Sequence, residues 1–103
     1  MRRARVLVHN RAAGVLEEIE KARRYRFVYD QEYDGPAVSL TMATGQREHS
    51  FEGFPPFFDG LLPEGVQLES LIRLRKVDRD DLFAQLLAVG SDLVGAVTVE
   101  ALD

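Results

Sequence analysis

The segment Phe54–Gly65, with the sequence FPPFFDGLLPEG, constrains the fold more than any other part of this chain. It holds three of the six phenylalanines and three of the four prolines. The paired prolines favour extended backbone before position 56 and fix the angle φ for a helix that begins at Pro56. Pro63 ends that helix at about Leu62, and Gly65 lets the chain turn. The composition therefore predicts a rigid apolar elbow, which we call the elbow (residues 54–65).

Four apolar side chains share one broad side of the predicted elbow helix: Phe57, Phe58, Leu61 and Leu62. In one interpretation they only fill the core of the domain. In another, part of the elbow stays exposed and binds a second protein, because aromatic residues on a rigid backbone are strong interface anchors. Both hold together if Phe57 and Leu61 lie inside and the corner from Leu62 to Val66 lies outside.

The size and composition are those of one globular domain, residues 1–103, with 46% hydrophobic and 29% charged residues. Cysteine is absent, which excludes disulfides and thiolate metal sites. The apolar run near the N-terminus is interrupted at His9, so it is too short for a signal sequence or a membrane span. We therefore expect a cytoplasmic protein without a membrane partner.

The net charge of −4 conceals an uneven distribution. Residues 1–26 carry eight basic and three acidic groups, a net charge of +5, and the remaining residues carry −9. The basic groups are scattered over strand positions rather than gathered on a recognition helix, which disfavours direct binding to nucleic acid. Recognition of a basic protein surface by the acidic part fits this distribution better.

The first half of the chain, residues 1–52, is mainly β, because apolar and polar residues alternate along most of it. Strands are predicted at residues 5–8, 15–19, 24–30, 38–42 and 47–51, with turns over residues 10–14 and 43–46, the second of these a hairpin turn. A last strand is predicted at residues 95–101. These strands form an antiparallel sheet whose apolar face needs a cover.

The cover comes from residues 53–90, which are mainly helical. After the elbow, residues 66–76 have the spacing of an amphipathic helix. A third helix is predicted with Asp78 as its N-cap, Asp81 at the position of a capping box, and Gly90 as its C-terminal cap. The sequence therefore predicts an α+β fold, an antiparallel-rich sheet covered by about three helices, with the C-terminal strand returning to the sheet.

Residues suited to catalysis or metal binding are few. His9 and His49 lie on segments that nothing in the sequence brings together. Asp78, Asp80 and Asp81 resemble a metal-binding run, but carboxylates at a helix start are explained by its exposed N–H groups and dipole. No glycine-rich phosphate loop is present. The sequence thus predicts an interaction module with no catalytic residues, no metal and no cofactor.

The elbow and its surroundings resemble the N-terminal subdomain of the HipA family of serine/threonine kinase toxins. The matching pieces follow one another along most of the chain: Val8–Asn10, Ala13–Leu16, Phe27–Asp30 with Tyr33, Ser39–Leu40, the elbow, Asp81–Phe83 with Leu86–Leu87, and Gly90–Ala96. The elbow is the most specific piece, since a run so rich in Phe and Pro seldom recurs by chance.

In HipA-like kinases this subdomain is followed by the ATP-binding and catalytic parts, whereas the present sequence ends at Asp103. The resemblance therefore implies a stand-alone protein similar to the HipS component of tripartite HipB–HipS–HipT systems. There a shortened kinase, HipT, is the toxin, HipB is a helix-turn-helix DNA-binding protein, and the detached subdomain binds the kinase as an antitoxin. The implied partners are a HipT-like kinase and a HipB-like protein, with DNA contacted only through the latter.

The resemblance also indicates where a partner binds. The predicted partner-binding residues are Phe54, Pro55, Pro56, Phe57, Phe58, Asp59, Leu61, Leu62, Pro63, Glu64, Gly65 and Val66. The corner from Leu62 to Val66 is expected to point into the kinase cleft, where Glu64 meets the lysine and Mg²⁺ that hold the nucleotide phosphates. Two alternatives remain: a structural subunit that completes or stabilises the kinase N-lobe without inhibition, and a fragment of a full-length HipA-like kinase.

Overall fold

The chain forms five strands and three helices within residues 1–102, the part that the computed structural model describes. In chain order the elements are β1 (Arg3–Val8), β2 (Arg11–Glu20), β3 (Arg24–Tyr29), β4 (Glu48–Glu52), α1 (Pro56–Asp59), α2 (Gly65–Arg75), α3 (Leu82–Val89), a 3₁₀ turn (Gly90–Asp92) and β5 (Val97–Ala101). Asp103, the last residue of the predicted domain, lies outside the described residues.

The strands form one open sheet in the order β4-β3-β2-β1-β5, and every neighbouring pair is antiparallel. β5 returns from the helical half of the chain and pairs with β1, so that Val99 lies opposite Val6. The predicted α+β architecture is confirmed, including the C-terminal strand that rejoins the sheet.

The core lies between one face of the sheet and the helices. In β3 the buried side chains are Tyr25, Phe27 and Tyr29, as their alternation with polar residues predicts. Phe83 and Leu86 of α3 belong to the same buried cluster, and the rings of Tyr25 and Phe83 stack with their centroids 6.2 Å apart. Helix α3 therefore covers the aromatic side of β3.

The connection between β1 and β2 is tighter than predicted. His9 and Asn10 alone form the turn, with φ of 49° and 65°, the left-handed values that a two-residue type I′ hairpin requires at both positions. β2 begins at Arg11, so the predicted turn over residues 10–14 is wrong. Gly14 instead lies within the strand, where the backbone of β3 leaves no room for a side chain.

The strand predicted at residues 38–42 is also wrong. Only an isolated bridge joins Ser39 to Met42, and the N–H of Met42 donates to the carbonyl of Ser39 (3.0 Å). The hydroxyl of Ser39 accepts a second hydrogen bond from the N–H of Thr41 (3.0 Å). These local bonds close the segment into a turn, with Leu40 fully exposed at its tip (101%).

The weak strand predicted at residues 47–51 is confirmed as β4, shifted by one residue. The N–H of Gln46 donates to the carbonyl of Ala43 (3.3 Å), so the predicted turn at residues 43–46 is present. Because residues 38–42, directly before this turn, form no strand, it is not the hairpin turn that was predicted. β4 pairs with β3 instead and forms one edge of the sheet.

Both ends of α3 differ from the prediction. Its N-cap is Asp81, whose carboxylate accepts a backbone hydrogen bond (3.1 Å), and not Asp78. Asp78 accepts a hydrogen bond from the N–H of Asp80 (2.8 Å) and shapes the turn before the helix. Gly90 has a right-handed conformation rather than that of a left-handed cap. A side chain is excluded there because a Cβ would lie 2.0 Å from the carbonyl oxygen of Val99.

A buried ion pair ties the start of the chain to the helical layer. The carboxylate of Glu18 accepts hydrogen bonds from the guanidinium of Arg2 (2.8 and 2.9 Å) and the hydroxyl of Tyr25 (3.1 Å). Arg2 also donates to Asp81 (2.9 Å). Burial acts to raise the pKa of Glu18, but the hydrogen bonds from Arg2 and the N–H of Ala22 outweigh it and hold that pKa below its ordinary value.

We expect Glu18→Gln to lower the free energy of unfolding by about 2–3 kcal/mol at pH 7, because it removes charge-assisted hydrogen bonds from a buried site. A carboxylate with a lowered folded-state pKa stabilises the fold above its unfolded-state pKa of about 4.3, and this contribution is lost as the pH falls through the folded-state value. The difference between wild type and variant should therefore shrink as the pH is lowered from about 5 to about 3.

Urea unfolding at several pH values measures this difference. The matched control is Glu32→Gln, because Glu32 is exposed in the segment between β3 and β4. The control should leave the free energy of unfolding unchanged. A loss for Glu18→Gln that stays constant from neutral to acidic pH would contradict the role assigned to the ion pair.

Candidate partner-binding surface

The first half of the elbow is fixed to the core. The ring of Phe54 lies edge-on to that of Tyr25, with centroids 5.3 Å apart, and Pro55 is fully buried. Phe58 is fully buried as well, with its ring centroid 6.4 Å from that of Phe27. Pro55 and Phe58 were both predicted to bind a partner, but their side chains lie inside the fold. They position the exposed part of the elbow.

The elbow helix α1 is shorter than predicted, but its predicted apolar side faces the core. It has a single turn. After it, the N–H groups of Leu61 and Leu62 donate to carbonyls three residues earlier (3.1 Å), which is the hydrogen-bond spacing of a 3₁₀ helix. Phe58 is the fully buried side chain, whereas Phe57, Leu61 and Leu62 are half-buried against the core cluster. Phe57 and Leu61 therefore pack against the core as predicted, although neither is fully buried.

The second half of the elbow forms an exposed corner at Leu62–Val66. Glu64 and Gly65 are exposed, Pro63 is half-buried, and the side chain of Val66 is 82% exposed. Gly65 has φ of 58°, a left-handed conformation that a side chain would strain, and it begins α2 directly. The carboxylate of Glu64 caps no helix and has no partner within residues 1–102. The corner is thus stiff, with a free carboxylate.

Two further predicted residues, Pro56 and Asp59 on α1, are exposed on the same segment. Asp59 does not pair with a basic side chain within the described residues. The predicted set therefore divides by burial: the elbow begins with buried anchors and ends with side chains that a partner can reach.

A shallow groove of about 340 Å³ lies beside the corner. Its lining includes Leu61, Leu62 and Pro63 of the elbow, and Leu93 and Val94 after the 3₁₀ turn. Val94 is 96% exposed. Leu93 and Val94 were not among the predicted site residues, because only the fold brings the 3₁₀ turn beside the elbow. The feature of the sequence that could have indicated them is an apolar pair directly after the polar turn residues Ser91 and Asp92.

Helix α2 continues from the corner, and none of its residues is buried. Leu68, Leu71 and Ile72 are half-buried, and Leu74 is 74% exposed. None of these side chains belongs to the buried core cluster or to the apolar residues packed against it. Helix α2 therefore contributes less to the core than α1 and α3 do.

The two histidines lie on separate parts of the sheet. His9 is exposed in the β1–β2 turn, and the ring of His49 on β4 shares a hydrogen bond with the carbonyl of Ala43 (3.0 Å). Within residues 1–102, no three His, Cys, Asp or Glu side chains are grouped so that they could hold a metal ion. No helix in this part of the chain has the length and apolar character needed to cross a membrane.

Nearly the whole chain matches a known family: a model of the HipA N-terminal domain matches residues 4–100. The chain belongs to this family. A solved structure of the N-terminal domain of HipA toxin resembles this HipA N-terminal domain with a TM-score of 0.78 and 27% sequence identity, covering 100% of this chain and 94% of that one. An uncharacterised protein of Haemophilus influenzae is 28% identical over 100 residues, which cover 97% of this chain and 92% of that protein.

The resemblance predicted from the elbow and its surroundings is therefore confirmed. The elbow, the corner and the groove all lie inside the residues that the family model matches. The matching solved structure is the N-terminal domain of a toxin. The exposed corner with the adjacent groove is the candidate surface for binding a partner.

Proposed function

We propose that this HipA N-terminal domain is a non-catalytic antitoxin, which binds and inhibits a HipA-like serine/threonine kinase of the HipT type. Membership of a family named for a domain of the HipA toxin supports this proposal. The Haemophilus influenzae relative also supports it, because the match covers 92% of that protein and leaves it little length for a kinase portion. In that relative the domain is nearly the whole chain.

The observation that carries the proposal is the corner Leu62–Val66. Pro55 and Phe58 are buried beneath it and fix its position before any partner binds. A surface that is already ordered loses little conformational entropy on binding. The corner presents the apolar side chain of Val66 two residues from the unpaired carboxylate of Glu64. This combination suits a cleft that has both apolar and cationic groups.

A kinase cleft has such groups, because a lysine and Mg²⁺ hold the phosphates of the nucleotide. In the proposed complex the chain docks where a covalently attached HipA N-terminal domain would sit. Glu64 then pairs with the cations that otherwise bind phosphate, through charge-assisted contacts. Inhibition follows from a blocked cleft or a kinase lobe that is held open, and the chain itself needs no catalytic group.

The proposed assembly is cytoplasmic and includes a HipB-like helix-turn-helix protein, through which DNA is contacted. The charges of the basic N-terminal region support indirect rather than direct contact with DNA. Six of its arginines are paired with carboxylates, and in three of these pairs the nitrogen and oxygen lie 2.8 Å apart: Arg2 with Glu18, Arg11 with Asp34 and Arg26 with Glu17. Cations that are neutralised within the domain add little to phosphate binding.

Calorimetric titration of this chain into a purified HipT-like kinase core in the presence of Mg²⁺ tests the proposal. Glu64→Gln keeps the shape of the side chain and removes its charge, and we expect about tenfold weaker binding. The control is Glu32→Gln, an exposed glutamate in the segment between β3 and β4, for which we expect wild-type affinity. Equal affinities for all three proteins would contradict the role of the corner, and a wild-type chain that does not bind would overturn the proposal.

A further inference from the structure

Helix α2 packs only partly against its own domain, through the half-buried side chains of Leu68, Leu71 and Ile72. It has eleven residues, none of them buried, and an isolated helix of this length is marginal in water. Two exposed polar contacts involve it: Arg75 donates to the carbonyl of Ala88 (3.3 Å), and Glu69 pairs with Arg79 (2.6 Å). Exposed contacts of this kind stabilise a helix only slightly. The opposite side of α2 is left open to a further surface.

One side of α2 is suited to such a surface. Val66, Ser70 and Leu74 follow one another at four-residue spacing and therefore lie along one stripe of the helix. Val66 is 82% exposed and Leu74 is 74% exposed, so the stripe leaves two aliphatic side chains in contact with solvent. We call Val66, Ser70 and Leu74 the α2 stripe.

The charges beside the stripe indicate what it binds. Arg73 precedes Leu74, and Lys76 lies just beyond the helix in a left-handed conformation. Neither forms an ion pair within residues 1–102, in contrast to Arg79, which pairs with Glu69. Arg73 also interacts favourably with the negative end of the helix dipole. This interaction explains a cation in the last turn, but it does not explain the exposed leucine beside it. The end of the stripe is therefore apolar with a basic rim.

We propose that the α2 stripe is a second docking element, which binds an apolar surface with an acidic rim on the same kinase that the corner binds. This inference rests on the proposed function, because α2 begins at Gly65 within the corner and the two surfaces are continuous. The partner covers Val66 and Leu74, and its carboxylates meet Arg73 and Lys76. The stripe thereby gains the packing that its own domain does not supply.

Nucleic acid is a less suitable occupant of this surface. A protein that binds the phosphate backbone of DNA strongly makes about 6–10 phosphate contacts, whereas α2 and its end offer three cations without an ion pair within residues 1–102: Arg73, Arg75 and Lys76. Asp78 lies near the same helix and would repel phosphate. An aliphatic side chain between the cations is typical of a protein interface, in which an apolar centre is surrounded by a polar rim.

The test compares two leucine-to-alanine variants in the same calorimetric titration with the HipT-like kinase core. Leu74→Ala favours the helix slightly, so weaker binding cannot be attributed to loss of α2. We expect about tenfold weaker binding for Leu74→Ala. The control is Leu40→Ala, which removes the same atoms from a fully exposed leucine in a turn that precedes β4, and its affinity should be that of wild type.

The charge part is tested by Arg73→Gln, titrated at low and at high salt. We expect wild-type binding to weaken as salt increases and the variant to respond less, because salt screens the attraction between Arg73 and the acidic rim. Hydrogen exchange gives an independent measurement: the amides of α2 should exchange faster than those of α3 in the free chain and become protected when the kinase binds.

The outcomes separate this inference from the function on which it rests. If Glu64→Gln weakens binding but Leu74→Ala does not, the role of the α2 stripe is overturned and the antitoxin proposal stands. If the wild-type chain does not bind the kinase, both are overturned. Equal salt dependence of binding for wild type and Arg73→Gln would overturn the proposal that the partner has an acidic rim. Tight binding of a short DNA duplex that Arg73→Gln abolishes would overturn the choice of a protein partner.

Discussion

Replacing Phe58 by alanine should lower the free energy of unfolding by about 3–5 kcal/mol, because it removes an aromatic ring from a fully buried site and leaves a cavity. The ring of Phe58 contacts two others, with centroid distances of 6.4 Å to Phe27 and 5.2 Å to Phe57. A small domain has a total stability of only about 5–15 kcal/mol. The variant should therefore show a large decrease in the urea midpoint.

The matched control is Phe57→Ala, which removes the same atoms from the neighbouring position. Phe57 is half-buried, so we expect less than half of the loss found for Phe58→Ala. Urea unfolding followed by circular dichroism measures both variants. Equal losses would contradict the assignment of Phe58 as the buried anchor. Because Phe58 positions the corner, Phe58→Ala should also weaken kinase binding, although the partner cannot reach this side chain.

Gly90→Ala should lower the free energy of unfolding by about 3 kcal/mol or more, although glycine is normally a poor residue in a helical conformation. Position 90 has a right-handed conformation, in which alanine alone would favour folding. However, the new Cβ would lie 2.0 Å from the carbonyl oxygen of Val99 and 2.8 Å from its carbonyl carbon. These are backbone atoms of β5, which cannot move without disturbing the pairing with β1.

Gly45→Ala is the control for this prediction. No atom lies within 4 Å of the position of a Cβ at residue 45, so the added methyl group is accommodated. We expect a change within about 1 kcal/mol, and in the stabilising direction because alanine restricts the unfolded chain. Urea unfolding of the two variants measures the contrast. A Gly90→Ala protein as stable as the Gly45→Ala protein would show that the last turn of the helical layer is not pressed against β5.

The sheet could be predicted largely because its signals are local. Tyr25, Phe27 and Tyr29 alternate with polar residues, and all three are buried in β3. The same pattern around residues 38–42 was misleading. There the hydroxyl of Tyr29 accepts a hydrogen bond from the N–H of Val38 (2.9 Å), and side-chain bonds from Ser39 close a turn. A bond between residues far apart in the chain leaves no trace in a short window of sequence.

The helix caps illustrate the same limit. Asp78 and Asp81 are both suitable N-caps, and the sequence alone favoured the first. Asp81 is selected in the fold because its carboxylate both caps α3 and binds Arg2 (2.9 Å), which is also held by the buried Glu18. Gly90 was predicted as the C-terminal cap of α3, a position that often has a left-handed conformation. In the fold, glycine is required there because the backbone of β5 approaches closely. Such contacts depend on the topology of the whole domain.

The candidate surface was predicted in part. Proline and glycine indicated a stiff corner at Leu62–Val66, and the corner is exposed. The sequence could not show that Phe58 is fully buried and Phe57 only partly, because the two neighbours are identical in type. It also could not show that Val94 lies beside the elbow, or that Leu74 on α2 remains uncovered. Burial of an apolar residue depends on which other element packs against it.

The measurement that tests the central claim most directly is autophosphorylation of a HipT-like kinase core with labelled ATP, at increasing molar ratios of this chain. An antitoxin that occupies the kinase cleft should decrease the incorporated label in proportion to its concentration, and the decrease should saturate near a ratio of one to one. The Glu64→Gln variant should require a higher ratio, and Glu32→Gln should match wild type. Increased label would mean that the chain completes the kinase lobe, and unchanged label at saturating binding would mean that it is a passive subunit; either result would contradict the antitoxin function.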